Sequence, residues 1–300
     1  MTSGFCGQPG FDDAGIHDAL DADSVDCLPR WLDHTVDFDP AMVQELTQLS
    51  SAGNERDPWI SPDGHQLYFT RDPSGSGRYD VYTATRTATA DWSEQGPVVN
   101  LNSIDDEEHP ALTSDLTVLA LSTNHNSSRF HIAIATRPSA TTGFDSPDEQ
   151  HLANVNADAA NHYDPFLTSD GLRLYLAEDT GPGGRHEIKV ATRSSTSGDF
   201  TVPVNVDGVN SSITGTGSAT LSNDERVMVF TETLSSTTAL DLYYATRTSA
   251  ATGFGTPVKI MAISTSSIEA DPMLSRDGCE LYFDSNRNGG RFHLFRARVR

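Results

Sequence analysis

ERDPWISPDGHQLYFTRDPSGSGRYDVYTATR, residues 55–86, carries three strand signals in a row. A short run ending in Ile60-Ser61 meets the turn Ser61-Pro62-Asp63-Gly64, where Pro and Gly supply the dihedrals a hairpin needs. The next run, Gln66-Leu67-Tyr68-Phe69, alternates polar and apolar as a strand with one buried face does. A Gly/Ser-rich loop follows, then a third strand at Asp80-Val81-Tyr82-Thr83-Ala84.

Four more stretches repeat this order: residues 107–137, 162–193, 217–247 and 269–299. Anchored on the Pro position at 58, 110, 165, 218 and 272, the spacings are 52, 55, 53 and 54 residues. That length suits one four-stranded propeller blade. Each unit continues through an aromatic–Pro link, such as Phe200 to Pro203, into a fourth strand. The last unit stops after its third strand at Arg300, whereas Phe38-Asp39-Pro40 through Leu49 reads as a fourth strand without a unit. Donating it to the last unit closes the ring and leaves no sheet edge open. The expected fold is therefore all-β, a five-bladed β-propeller over residues 31–300. Residues 1–30 show no periodicity and are rich in Asp, Ala, Gly and Ser. They read as a flexible acidic spacer, with Trp31 and Leu32 packing on the rim.

Twenty Lys and Arg face 42 Asp and Glu, a net charge of −22. Phosphate backbones and anionic membranes would be repelled, so nucleic acid is not an expected partner. No stretch has the 18 or so apolar residues of a transmembrane helix, and a monomer is expected. Three cysteines are too few for a disulfide-built scaffold. Cys6 and Cys27 are candidates to pair, and Cys279, inside a predicted strand, reads as a buried thiol.

The recurrent Asp-Pro, Leu-Ser-x-Asp-Gly, Leu-Tyr-Phe and Ala-Thr-Arg elements resemble the WD-like repeats of the TolB propeller family. The resemblance covers about 260 residues in five copies. It implies a secreted or periplasmic protein, membrane-tethered in a longer precursor, that binds a protein or small ligand. Blade four departs most, with Gly217-Ser218 where the others have Asp or His before Pro, and Asn223-Asp224-Glu225 for the Asp-Gly turn.

A propeller gathers the starts of its innermost strands around one mouth of a central tunnel. The positions three and one before the Pro read Glu55 and Asp57, Glu107 and His109, His162 and Asp164, Gly215 and Gly217, Glu269 and Asp271. One reading makes the Asp residues staples that bond the backbone of the next blade. The other makes His109, His162, Glu55, Asp57, Asp164 and Asp271 ligands of a divalent metal, since imidazoles among crowded carboxylates are the usual composition of such sites. Zinc or manganese suits the mixed set, and calcium an all-carboxylate subset. A further resemblance, to propeller lactonases and phosphotriesterases, implies a hydrolase acting through a metal-activated water, with Glu107 or Glu269 as general base. Arg78, Arg129, Arg185 and Arg291, recurring before the third strand, read as structural. No Gly-x-Ser-x-Gly elbow, phosphate loop or dinucleotide fingerprint is present.

Overall fold

The computed structural model describes residues 26–87, 91–179, 185–210, 214–233 and 240–300. Five antiparallel sheets follow the five repeats. Their innermost strands are Asn54–Ile60, Glu107–Leu112, His162–Leu167, Thr216–Leu221 and Glu269–Leu274. In blade two the fourth position is a single bridge, Ile134 to Asp148, rather than a strand. The fifth blade is completed by Gln44–Glu45, paired with Arg296 and Phe295, and by the bridge Phe38 to Val299. The architecture is a five-bladed β-propeller closed by its own N-terminal strand.

The core is divided among the blade interfaces. Each of five apolar clusters draws on two neighbouring blades, such as Leu46, Leu49 and Tyr282 against Leu67, Phe69 and Trp92 at the closure. Facing sheets that each bury one side have no other way to cover it. The repeat ends are explained too. Arg86, Arg137, Arg193 and Arg247 lie 4.5, 4.2, 4.4 and 4.4 Å from the ring centres of Trp92, Phe144, Phe200 and Phe254. Each also donates Nε to a carbonyl, of Gly64, Leu116, Gly171 and Glu225. The Ala-Thr-Arg element and the aromatic link are thus two halves of one clasp.

The cysteine expectation is corrected. Cys279 is not a buried thiol: it is bonded to Cys27, 252 residues away, so Cys27 is not Cys6's partner. Ring closure, not proximity in sequence, makes these two neighbours. The helix Leu28–Leu32 sits beside the bond, with Trp31 Nε1 donating to Gly278 O at 2.8 Å. Gly278 has φ of +69°, and a Cβ there would come 2.7 Å from the Leu28 side chain. Most of the expected spacer, residues 1–25, lies outside the described residues. No helix among the described residues is long and apolar enough to cross a membrane.

Candidate functional site

Every innermost strand breaks register near its middle, between Arg56 and Trp59 in blade one and at matching places in the others. At each break one residue takes a left-handed backbone: Asp57 (φ 54°), His109 (55°), Asp164 (53°), Ser218 (48°) and Asp271 (50°). Non-glycine residues there are uncommon, and five in a ring mark an imposed geometry. The bulge defeats the strand rule that residues two apart share a face. Asp57, His109, Asp164, Ser218 and Asp271 turn to the tunnel axis, around a space of about 40 Å³. The residues two positions earlier do not follow them.

This corrects the expected site in three respects. First, Glu55, Glu107 and Glu269 are buried away from the axis, Glu55 at the seam between blades one and five. Glu107 accepts from Ser103 N (2.7 Å), Ser103 Oγ (2.6 Å) and Thr123 Oγ1 (3.1 Å). Glu269 is held the same way by Thr265, Ser285 and Arg287. Glu55 is held by Ser51, Arg71 and His293. With their oxygens engaged off the axis, Glu107 and Glu269 have no geometry for a base at the tunnel mouth. Second, His162 does not join His109, and its Nε2 faces Asp158 and Glu178 instead. Third, blade four is offset by one: Ser218-Ala219, not Gly217-Ser218, occupies the Asp-Pro position, and Thr216 rather than Gly215 matches Glu55. Anchoring on Leu221-Ser222, the counterpart of Ile60-Ser61, would have found this.

The axis cluster is dense. His109 Nε2 lies 2.6 Å from Asp164 Oδ1 and 3.3 Å from Asp57 Oδ1. The Ser218 hydroxyl reaches Asp164 Oδ2 at 2.9 Å and Asp271 Oδ1 at 2.5 Å. Two backbone amides staple neighbouring blades through these acids, His109 N to Asp57 and Ser218 N to Asp164. Unforeseen from sequence, Arg56 donates to both Asp271 (3.0 Å) and Asp284 (2.9 Å). Glu108 lies beside His109, its carboxylate 3.8 Å from Nδ1.

Burial and mutual charge set the protonation states. Burial pushes Asp57 up to about 7, against the pull of His109. Asp284 is driven well above the carboxylate range by burial and by Asp271. Burial opposes charge on His109 as well, yet Asp164 and Asp57 overcome it and hold the imidazole well above its ordinary value. Asp164 and Asp271 are held low despite burial, the former by His109 and the latter chiefly by Arg56. Four axis carboxyls therefore face two cations, and the surplus negative charge is met by protons on Asp57 and Asp284.

Above the cluster opens a cavity of about 300 Å³, walled by Arg56, Glu108, Tyr163, His186, Thr233 and Leu240, with His109, Asp164 and Asp271 at its base. Tyr163 stacks on His186 with centroids 5.3 Å apart, and meets Phe130 at 4.9 Å with the rings tilted by 41°. Below the cluster, Trp59, Phe166 and Met273 line the opposite end of the tunnel. A small polar molecule entering the cavity would meet an aromatic wall and a charged floor.

No family model matches the chain, and no curated protein does. Similar solved structures exist at low identity. Zg3597, a family 117 glycoside hydrolase from the marine bacterium Zobellia galactanivorans, is 11% identical, with 88% of this chain and 90% of that one covered and a TM-score of 0.60. An endo-arabinase from Bacteroides thetaiotaomicron is 14% identical over 88% and 98%, with a TM-score of 0.57. TolB from Acinetobacter baumannii is 15% identical with a TM-score of 0.47, and the chain spans 57% of its length. At these identities the likeness concerns the fold alone. Fold and site together define a five-bladed β-propeller with a buried, charged axis.

Proposed function

We propose that this chain is an exported ligand-binding propeller whose ligand occupies the cavity at the tunnel mouth, over a divalent cation held by His109, Asp164 and Asp271. The observation that carries it is the convergence of those three side chains, whose donor atoms come within 4.8 Å of one another at the base of the cavity. The donor set fits a cation: one imidazole with two carboxylates suits zinc or manganese better than calcium. Charge is compatible with the same reading: His109 would give up its proton on ligation, so a dication adds one net positive charge beside Asp57 and Asp284, whose carboxyls are otherwise neutralised by protons. Export is supported by the Cys27–Cys279 bond, since disulfides persist in oxidising compartments.

The test is elemental analysis of the purified chain with melting curves before and after chelation. A cation at a hundred times its Kd would stabilise the fold by about 2.7 kcal/mol. His109→Ala and Asp164→Asn should each abolish that gain. An unchanged melt with no metal in the sample would remove the reading.

A second reading, a hydrolase, is favoured by one observation: Asp57 keeps its proton up to about 7 while Asp164 and Asp271 beside it stay ionised. Opposed carboxyl pKa values in one site are how acid and base roles are divided. Lactone, ester, phosphotriester and aryl glycoside substrates should be tried, with Asp57→Asn as control. Turnover unaffected by that change would dismiss Asp57 as the acid.

A further inference from the structure

The buried ring set back from the axis is built to one plan in blades one, two and five. A Ser or Thr four residues upstream donates both its N–H and its hydroxyl to the Glu: Ser51 to Glu55, Ser103 to Glu107, Thr265 to Glu269. The residue opposite on the second strand is also a donor: Arg71, Thr123 and Ser285. Blade three inverts all three roles at once. Asp158 stands at the Ser position, His162 at the Glu position, and Glu178 opposite His162. Both donors have become carboxylates, and the carboxylate has become an imidazole.

The His162 side chain has no solvent exposure, and neither ring nitrogen has a hydrogen-bond partner among the described residues. Its Nε2 lies 3.4 Å from Asp158 Oδ1 and 3.4 Å from Glu178 Oε2, and neither contact has hydrogen-bond geometry. The three donor atoms fall within 4.8 Å of one another. Lys189 pairs with Glu178 through Oε1, which leaves Oε2 directed at His162. Asp158 is 55% exposed, so a cation has an open path to the group. A fully buried imidazole costs stability unless its nitrogens are satisfied. The neighbours here offer acceptors, Asp158 Oδ1 being steadied by Ala160 N at 2.9 Å, and an electrophile between Nε2 and the two carboxylates would satisfy Nε2 and neutralise the acids.

The geometry points to a second divalent-cation site in blade three, formed by His162 Nε2, Asp158 and Glu178, and separate from the axis. One nitrogen and two carboxylate oxygens with a solvent-side opening match a zinc-type cation that keeps a water as fourth ligand. Built within one blade, the site would tie the loop before the innermost strand to the second strand, as the Ser–Glu bonds do elsewhere. It does not depend on the ligand proposed for the tunnel mouth.

The experiment is calorimetric titration of the full chain, stripped with chelator, with Zn²⁺ alone, paired with melting curves. Run on Asp164→Asn, it isolates this site from the axis, and a saturable heat with a raised melting temperature is expected there. Asp158→Asn alters an exposed side chain and should keep the fold while weakening that binding by about tenfold or more, as loss of even supporting ligands does. His162→Gln should remove it. Zinc absorption spectra should show one imidazole nitrogen among oxygen donors at roughly 2.0–2.2 Å. The site is overturned if Asp164→Asn binds no Zn²⁺, or if Asp158→Asn binds it as tightly as its parent. A melting temperature lowered equally with and without Zn²⁺ in His162→Gln would reduce the group to an imidazole–carboxylate knot.

Discussion

Two rings of polar residues circle this propeller, two positions apart in every innermost strand, and they do unlike work. The inner ring, Asp57, His109, Asp164, Ser218 and Asp271, faces the axis beneath a cavity. The outer ring, Glu55, Glu107, His162, Thr216 and Glu269, is buried away from it. Composition does not separate them, since both are chiefly carboxylate with one imidazole. The left-handed bulge does, because it rotates one ring toward the tunnel and leaves the other in the sheet. Acidic side chains therefore converge on the axis only from positions where the backbone turns inward.

The largest effect should come from the outer ring. Glu55→Ala takes from His293 its buried carboxylate and from Arg71, only 8% exposed, one of two, leaving it Glu94 at 2.8 Å. Removing one member of a buried pair costs about 3–5 kcal/mol. Urea unfolding should show that loss, and cation binding at the axis, measured on the folded fraction, should not change. Lost binding without lost stability would erase the distinction between the rings. Next in size is the strap that closes the molecule. Cys27→Ser with Cys279→Ser should lower stability by about 2–4 kcal/mol, a typical value for a disulfide closing a long loop. The strand pairing at Gln44–Glu45 should keep the ring shut, as amide exchange there would report. Inner-ring Asp164→Asn should be milder, about 1.5–3 kcal/mol for hydrogen bonds to a charged group, yet it should abolish stabilisation by cation.

The blade count and closure could be read from sequence because five copies in register, plus one orphan strand at Phe38–Leu49, admit few other arrangements. Side-chain direction was less legible. Strand alternation predicts that Glu55 and Asp57 point the same way, and nothing local to Arg56-Asp57-Pro58 announces a left-handed residue at Asp57. Arg56 and Glu108 were hidden by the same rule, which places them on the face away from their neighbours. Pairing of Cys27 with Cys279 required knowing that the ring brings those residues together. Ser218, by contrast, was available to a reader who aligned the Leu-Ser pair rather than the preceding Gly.

The last effect is a matter of pH, and it asks how the inner ring carries its electrostatic strain. Asp57 has its folded pKa raised by burial to about 7, above its ordinary value near 3.8. An acid raised in the folded state favours folding while it is protonated in the native protein. Its contribution is therefore complete below about pH 4 and is lost as pH climbs through about 7. Over that window the cation-free chain should lose stability progressively, with Asp284, also raised in the folded state, acting in the same direction, and Asp57→Asn, neutral throughout, should make the slope shallower. Denaturant midpoints at half-unit steps from pH 4 to 8 would measure it, with a bound divalent cation expected to flatten the parent in the same way. If Asp57→Asn keeps the parental slope, the buried carboxyl is not the group that titrates, and the account of how the axis balances its charge fails with it.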